Sequence, residues 1–230
     1  MYGYYWDWTY LLVIVGAVVC MIASARVNSA YQKYAKVRAM SGMTGAEVAE
    51  RILQQNGITD IQIVRVAGNL TDHFSARDKR VALSESTYDS ASVAAIAVAA
   101  HECGHVCQNA FGYVPYNIRT ALVPAANIGS QLGLPIVIIG LIIGRFPAIV
   151  TAGILIFSIA VLFQIVTLPV EWDASRRALV MLEQYGILGQ EEKQSAKKVL
   201  SAAALTYVAA AASSVLQLMR LILLSNRRRD

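Results

Sequence analysis

Charge is scarce in this chain. Asp, Glu, Lys and Arg make up 15% of the 230 residues while hydrophobic residues make up 56%, a balance that excludes an ordinary cytosolic domain and makes membrane spans the first expectation. Cysteine is sparse too. Cys20 sits in an apolar run and Cys103 and Cys107 fall on one predicted helix, so the odd total of three implies no disulfide framework. Aromatic residues do not interleave the basic clusters, which removes nucleic acid as a partner. The net charge of +5 comes from bases gathered just after hydrophobic runs and in Arg227 to Arg229, a placement that suits anionic lipid or a solvated tail. No useful internal repeat is present, and the Ala-rich runs at 94–100 and 202–212 read as close-packing helices.

What is abundant is apolar sequence in long runs. Tyr2, Tyr4, Tyr5, Trp6, Trp8 and Tyr10 form an interfacial belt ahead of the first run. From Tyr10 to Ala25 that run is long enough, with its aromatic flank, to cross a hydrocarbon core of roughly 30 Å. A cleaved signal peptide is the rival reading, since Ala23-Ser24-Ala25 mimics a cleavage site, but Asp7 stands where a basic segment belongs. Arg26, Lys33, Lys36 and Arg38 follow at once, which places the next segment in the cytoplasm. A second apolar region, 121–168, is broken by Gly144-Arg145-Phe146-Pro147 and reads as a transmembrane hairpin. Its first arm contains Pro124, Asn127, Gln131 and Pro135 and is expected to be kinked or partly buried in protein. The last stretch, 202–224, is ambiguous, because crossing would put Arg227 to Arg229 outside. A cytoplasmic-side or interfacial helix is favoured, with a fourth span as the alternative.

The expected organisation is therefore an N-terminal transmembrane helix (1–25), a cytoplasmic catalytic region (26–120), the hairpin (121–168), a polar helical segment (169–200) and a C-terminal apolar helix with a basic tail (201–230). Within the catalytic region Thr44-Gly45-Ala46-Glu47 is a capping box, opening a helix that Asn56-Gly57 closes. The alternating run from Ile61 to Val66, a turn at Gly68-Asn69 and Arg80 to Leu83 predict a small sheet. Asp89-Ser90 is expected to cap a helix over about 91–109.

That helix carries His101-Glu102-Cys103-Gly104-His105. One turn apart and about 40° around the axis, the two imidazoles can face a single zinc ion, while Glu102 on the same face can take a proton from water. Cys103 and Cys107 point to the other side of the helix. Only three histidines occur in the chain and two of them are in this pattern, which weakens the reading of a chance match on a solvated helix. A catalytic zinc needs a third protein ligand, and Glu171, expected to open a helix after the third span, is the strongest candidate. Two crossings of the hairpin return it to the side of His101 and His105, where Glu183, Glu191 and Glu192 also lie but in a segment that looks solvated. An interfacial or capping carboxylate is the other reading of Glu171.

Four stretches together resemble the YugP-type membrane zinc metallopeptidases of bacteria. They are 70–74 (LTDHF), 99–105 (AAHECGH), 167–171 (TLPVE) and 202–211 (AAALTYVAAA), and the resemblance covers nearly the whole chain. That family is in turn similar to HtpX and the CAAX prenyl proteases. The resemblance implies a multi-pass bacterial plasma-membrane protein, mostly helical, with a zincin-like α+β catalytic region and a small β-sheet. It implies a gluzincin site on the cytoplasmic face, with His101, His105 and Glu171 holding zinc. In the relatives an aspartate four positions after the glutamate orients a zinc-bound histidine. This chain has Ser175 there, and Asp173 or Asp72 is the other candidate for that role.

The expected activity is endopeptidase hydrolysis of peptide or protein substrates, with Glu102 as base and His73 or Tyr207 as oxyanion donor, each equally readable as a structural polar residue. An extended substrate is expected to pair with the strand at Val81 to Leu83. The competing reading is a non-catalytic zinc-stabilised scaffold or chaperone-like membrane protein. A transporter fits less well, since the hairpin offers no charge beyond Arg145.

Overall fold

The computed structural model describes residues 7–144 and 146–226. Tyr2, Tyr4, Tyr5 and Trp6 of the aromatic belt, Arg145 of the hairpin turn and the Arg227 to Arg229 tail lie outside the described residues. The elements run α1 (Tyr10–Tyr34), α2 (Gly45–Gln55), β1 (Gln62–Val66), β2 (His73–Ser75), β3 (Arg80–Ser84), α3 (Glu85–Tyr88), α4 (Val93–Ala110), α5 (Val114–Ile143), α6 (Pro147–Gln184) and α7 (Gln190–Asn226). The fold is mostly helical with one small sheet, as the sequence leads one to expect. It divides into two compact units, one made of the chain up to Ser24, Ile118–Leu168 and the chain from Thr206 on, the other of Ala25–Asn117 and Pro169–Leu205.

The first unit is built from apolar helices. Among the described residues four helices, α1, α5, α6 and α7, are long and apolar enough to cross a membrane. Only 11% of the apolar window of α1 is buried, and Leu11, Ile14, Val15, Val18 and Met21 are exposed, as a lipid-facing helix requires. Small residues let the backbones approach. A Cβ on Gly133 would stand 2.7 Å from Phe157 Cβ, one on Gly153 2.7 Å from the Val137 amide, and one on Gly16 2.6 Å from Ser213 Oγ, the close packing expected of helices in lipid. Leu221 of α7 is buried in a cluster with Val137 and Val150, so α7 packs as a member of this bundle. The hairpin helices are longer than expected. α5 starts at Val114, ahead of Ala121, and holds both Pro124 and Pro135 without a break.

In the second unit α2 has the expected capping box. Thr44 Oγ1 accepts from the Glu47 amide, and the Glu47 carboxylate accepts from the Thr44 amide at 2.7 Å. Its apolar stripe of Val48, Ile52 and Leu53 packs into one core with Val81 and Leu83 of β3, Ile96, Ala100 and Cys103 of α4, and Ala178 and Leu182 of α6. The sheet has the order β1-β3-β2, with β1 parallel and β2 antiparallel to β3. β3 is therefore the central strand, paired on both sides, and the expectation that Val81 to Leu83 offers a free edge is corrected: the free edges belong to β1 and β2. Helix α4 is capped by Ser92, whose Oγ accepts from the Ala95 amide, rather than by Asp89-Ser90. The buried alanines Ala94, Ala95, Ala97, Ala99 and Ala100 let α4 occupy the middle of this core.

Candidate metal centre

Two helices make the site. α4 carries His101, Glu102 and His105, and α6 carries Glu171. The expected helix start at Glu171 is absent, because α6 runs through Pro169 without interruption. Proline removes one amide donor, and a long helix tolerates this where other packing holds it in place. The approach of the two helices depends on Gly104: a Cβ there would lie 2.6 Å from the Ala174 carbonyl oxygen. The same contact sets the α6 turn that holds Glu171 and Ser175 opposite the histidines.

His101 Nε2 lies 3.3 Å and His105 Nε2 3.6 Å from Glu171 Oε2. One ligand atom from each of the three residues falls within 4.8 Å of the others, and the two imidazole planes stand nearly perpendicular at 82°. Two donors each about 2.0–2.1 Å from a tetrahedral ion are about 3.3–3.4 Å apart. The three side chains thus have the donor types and the spacing that zinc takes. Glu171 and His105 are almost wholly buried and His101 is partly open, so the cluster can be reached from one side.

The electrostatics follow from this crowding. Burial alone would push the Glu171 carboxyl up, but hydrogen bonds from His101 and His105 outweigh it and hold it well below the usual carboxylate range. Burial pulls the His105 imidazole down, yet Glu171, Glu102 and Gln108 together leave it above its ordinary value. A cation, whether proton or metal, is what these groups jointly favour.

Each histidine has a further partner on its outer nitrogen. Ser175 Oγ lies 3.2 Å from His101 Nδ1, so of the three residues proposed for this role Ser175 is the one beside that ring. Gln108 Oε1 lies 3.0 Å from His105 Nδ1, and Gln108 Nε2 reaches Val170 O at 2.8 Å and Asp173 Oδ2 at 2.9 Å. Asp173 also accepts from Arg177 Nε at 2.6 Å. Sequence reasoning overlooked Gln108, although its place three residues after His105, on the same helical face, was the available signal. Asp72 is used elsewhere: its carboxylate accepts from the Ser84 amide and hydroxyl at the start of α3.

Glu102 is buried, 8% exposed, on α4. His73 is exposed on β2, its Nδ1 2.9 Å from Thr71 O, and β2 packs against α4. Tyr207 is on α7 in the membrane-helix unit. Cys103 and Cys107 point away from the metal cluster, toward Ala49 O and Met181 Sδ, and burial pushes both thiols up, which makes them inert core residues. Glu183 pairs with Lys193, and Glu192 accepts from the Met40 and Gly189 amides, so both are used in tying chain segments together.

A family described as "Putative neutral zinc metallopeptidase" matches residues 9–226. A protein of Bacillus subtilis (strain 168) described as "Putative membrane protease YugP" is 41% identical over 219 residues, which is 95% of this chain and 97% of that protein. No solved structure matches.

Proposed function

The chain belongs to the neutral zinc metallopeptidase family, and from that premise we propose that it is an HExxH endopeptidase of the gluzincin type, working at the cytoplasmic face of the membrane. The protein is a membrane protein and its cofactor is zinc. The convergence of His101, His105 and Glu171 from α4 and α6 is the observation that carries the reading. Bound among these residues, zinc supplies Lewis-acid polarisation of a peptide carbonyl and lowers the pKa of water.

The chain's own groups then do the following. Glu102, adjacent to His101 on α4, takes the proton of the attacking water on its carboxylate and returns it to the departing amide nitrogen. His73, on the strand that packs against α4, is the first candidate for steadying the oxyanion. Tyr207 is the second candidate for that role. The β2 edge, on the strand that carries His73 and packs against α4, replaces β3 as the place where an extended peptide pairs by main-chain hydrogen bonds. Arg26, Lys33, Lys36 and Arg38, directly after the first span, support a cytoplasmic catalytic unit.

The test uses detergent-purified protein and an unbiased peptide library. Wild type is expected to cleave, and Glu102→Gln to keep its zinc but lose cleavage. Normal cleavage by Glu102→Gln excludes this mechanism, and stoichiometric zinc without turnover of any peptide by wild type favours the scaffold reading.

A further inference from the structure

Gln108 is an amide whose orientation is forced. It is fully buried, and its Nε2 lies 2.8 Å from Val170 O and 2.9 Å from Asp173 Oδ2. A main-chain carbonyl and a carboxylate only accept, so both N–H groups of the amide must face them. The flipped amide would set its oxygen against two acceptors at hydrogen-bond distance, leaving two buried groups in repulsion. The carbonyl oxygen of Gln108 is thus the atom turned to His105 Nδ1, 3.0 Å away. That oxygen also only accepts, so Nδ1 carries a proton. With Nδ1 protonated, the neutral ring keeps its lone pair on Nε2, the nitrogen that faces Glu171.

His101 has no such constraint. Its Nδ1 partner, Ser175 Oγ at 3.2 Å, is a hydroxyl that donates or accepts and fixes no tautomer. The two histidine ligands are therefore held differently, one by a rotor and one by a locked amide. The lock also spans the two helices: Gln108 on α4 is fastened to the carbonyl of Val170, immediately before Glu171, and to Asp173 two residues after it. Asp173 is in turn held by Arg177 Nε at 2.6 Å, and the Arg177 guanidinium lies over the Tyr113 ring at 5.6 Å.

We propose that Gln108 is a positioning residue for the metal. It sets the tautomer and ring orientation of His105, and it ties that ligand to the helix that supplies Glu171. This rests on the metal-centre reading above and adds to it a residue that acts through His105 and Glu171 without touching zinc or substrate.

The experiment measures zinc affinity by chelator competition on the full chain in detergent, for wild type, Gln108→Met and Asp173→Ala, together with the visible spectrum of the cobalt-substituted proteins. Methionine fills the volume of glutamine without an amide. Gln108→Met is expected to weaken zinc by about 10- to 100-fold and to shift the cobalt bands. Asp173→Ala, which frees one of the two anchors at a partly open position, is expected to move affinity in the same direction by less. A purely structural role would lower the unfolding temperature and leave zinc affinity of the folded protein and the cobalt spectrum as in wild type, and that result overturns the proposal. Should Gln108→Met fail to fold, Asp173→Ala decides alone, with wild-type affinity counting against it. If wild type holds no zinc, the metal-centre reading falls and this inference with it. Zinc-loaded wild type beside indifferent variants sinks this inference alone.

Discussion

A buried carboxylate between one nearly buried imidazole and one partly open one is expensive to assemble without a cation to share. Glu171 at 2% exposed and His105 at 7% are therefore poor choices for a merely structural contact and good ones for a metal site. Local helix geometry made the histidine pair readable from the sequence, since positions 101 and 105 of one helix face the same way whatever surrounds them. Glu171 was readable from its place after the third span, the counting of membrane crossings and the resemblance over 167–171, and its partner Gln108 was not read at all, because a buried amide belongs to no motif and its value lies in what another helix presents to it. His73 is the residue whose role is most open to measurement. If it steadies the oxyanion, His73→Ala lowers kcat by about 10²- to 10³-fold with zinc content and fold unchanged. A peptidase assay with metal analysis checks this, and kcat at the wild-type level removes His73 from the reaction.

At the scale of elements, the site is the contact between α4 and α6. Gly104 is the residue that permits it, because any Cβ there meets the Ala174 carbonyl at 2.6 Å, and backbone does not yield as a flexible side chain does. Gly104→Ala is expected to destabilise the catalytic unit by about 1–3 kcal/mol and to cost zinc binding as well, since separating the helices moves Glu171 from the histidines. Thermal unfolding and metal content report the two effects, and unchanged values of both contradict the close approach. The helices α1, α2 and α4 and the strands β1 and β3 were legible from apolar runs, periodicity and caps, whereas three features were not. β2 is three residues long, too short to show alternation. β3 is central because β1 and β2, on either side of the turn at Gly68 and the positive-φ residue Leu70, each pair with β3 and not with each other, which no local pattern encodes. The continuity of α6 through Pro169 comes from packing, with Val170, Glu171 and Ala174 all buried where intrinsic propensity would have ended the helix.

For the molecule as a whole, the chain alternates between its two units. α6 and α7 each run from one into the other. The apolar length of α7, and its burial of Leu221 against Val137 and Val150, favour the fourth span over the interfacial helix that its basic tail suggested. Topology can be read with an impermeant maleimide on single cysteines at the exposed positions Asn69 and Lys197, in a Cys20→Ser background. Both are expected to stay unlabelled in intact cells and to react after lysis. Labelling of both from outside contradicts the cytoplasmic site, and labelling of only one contradicts the convergence of the two catalytic segments. The proposed activity depends on three side chains holding one ion. Metal analysis of purified wild type and Glu171→Ala tests that most directly: the prediction is about one zinc per chain in wild type and almost none in the variant. Full zinc in Glu171→Ala, or none in wild type, contradicts it.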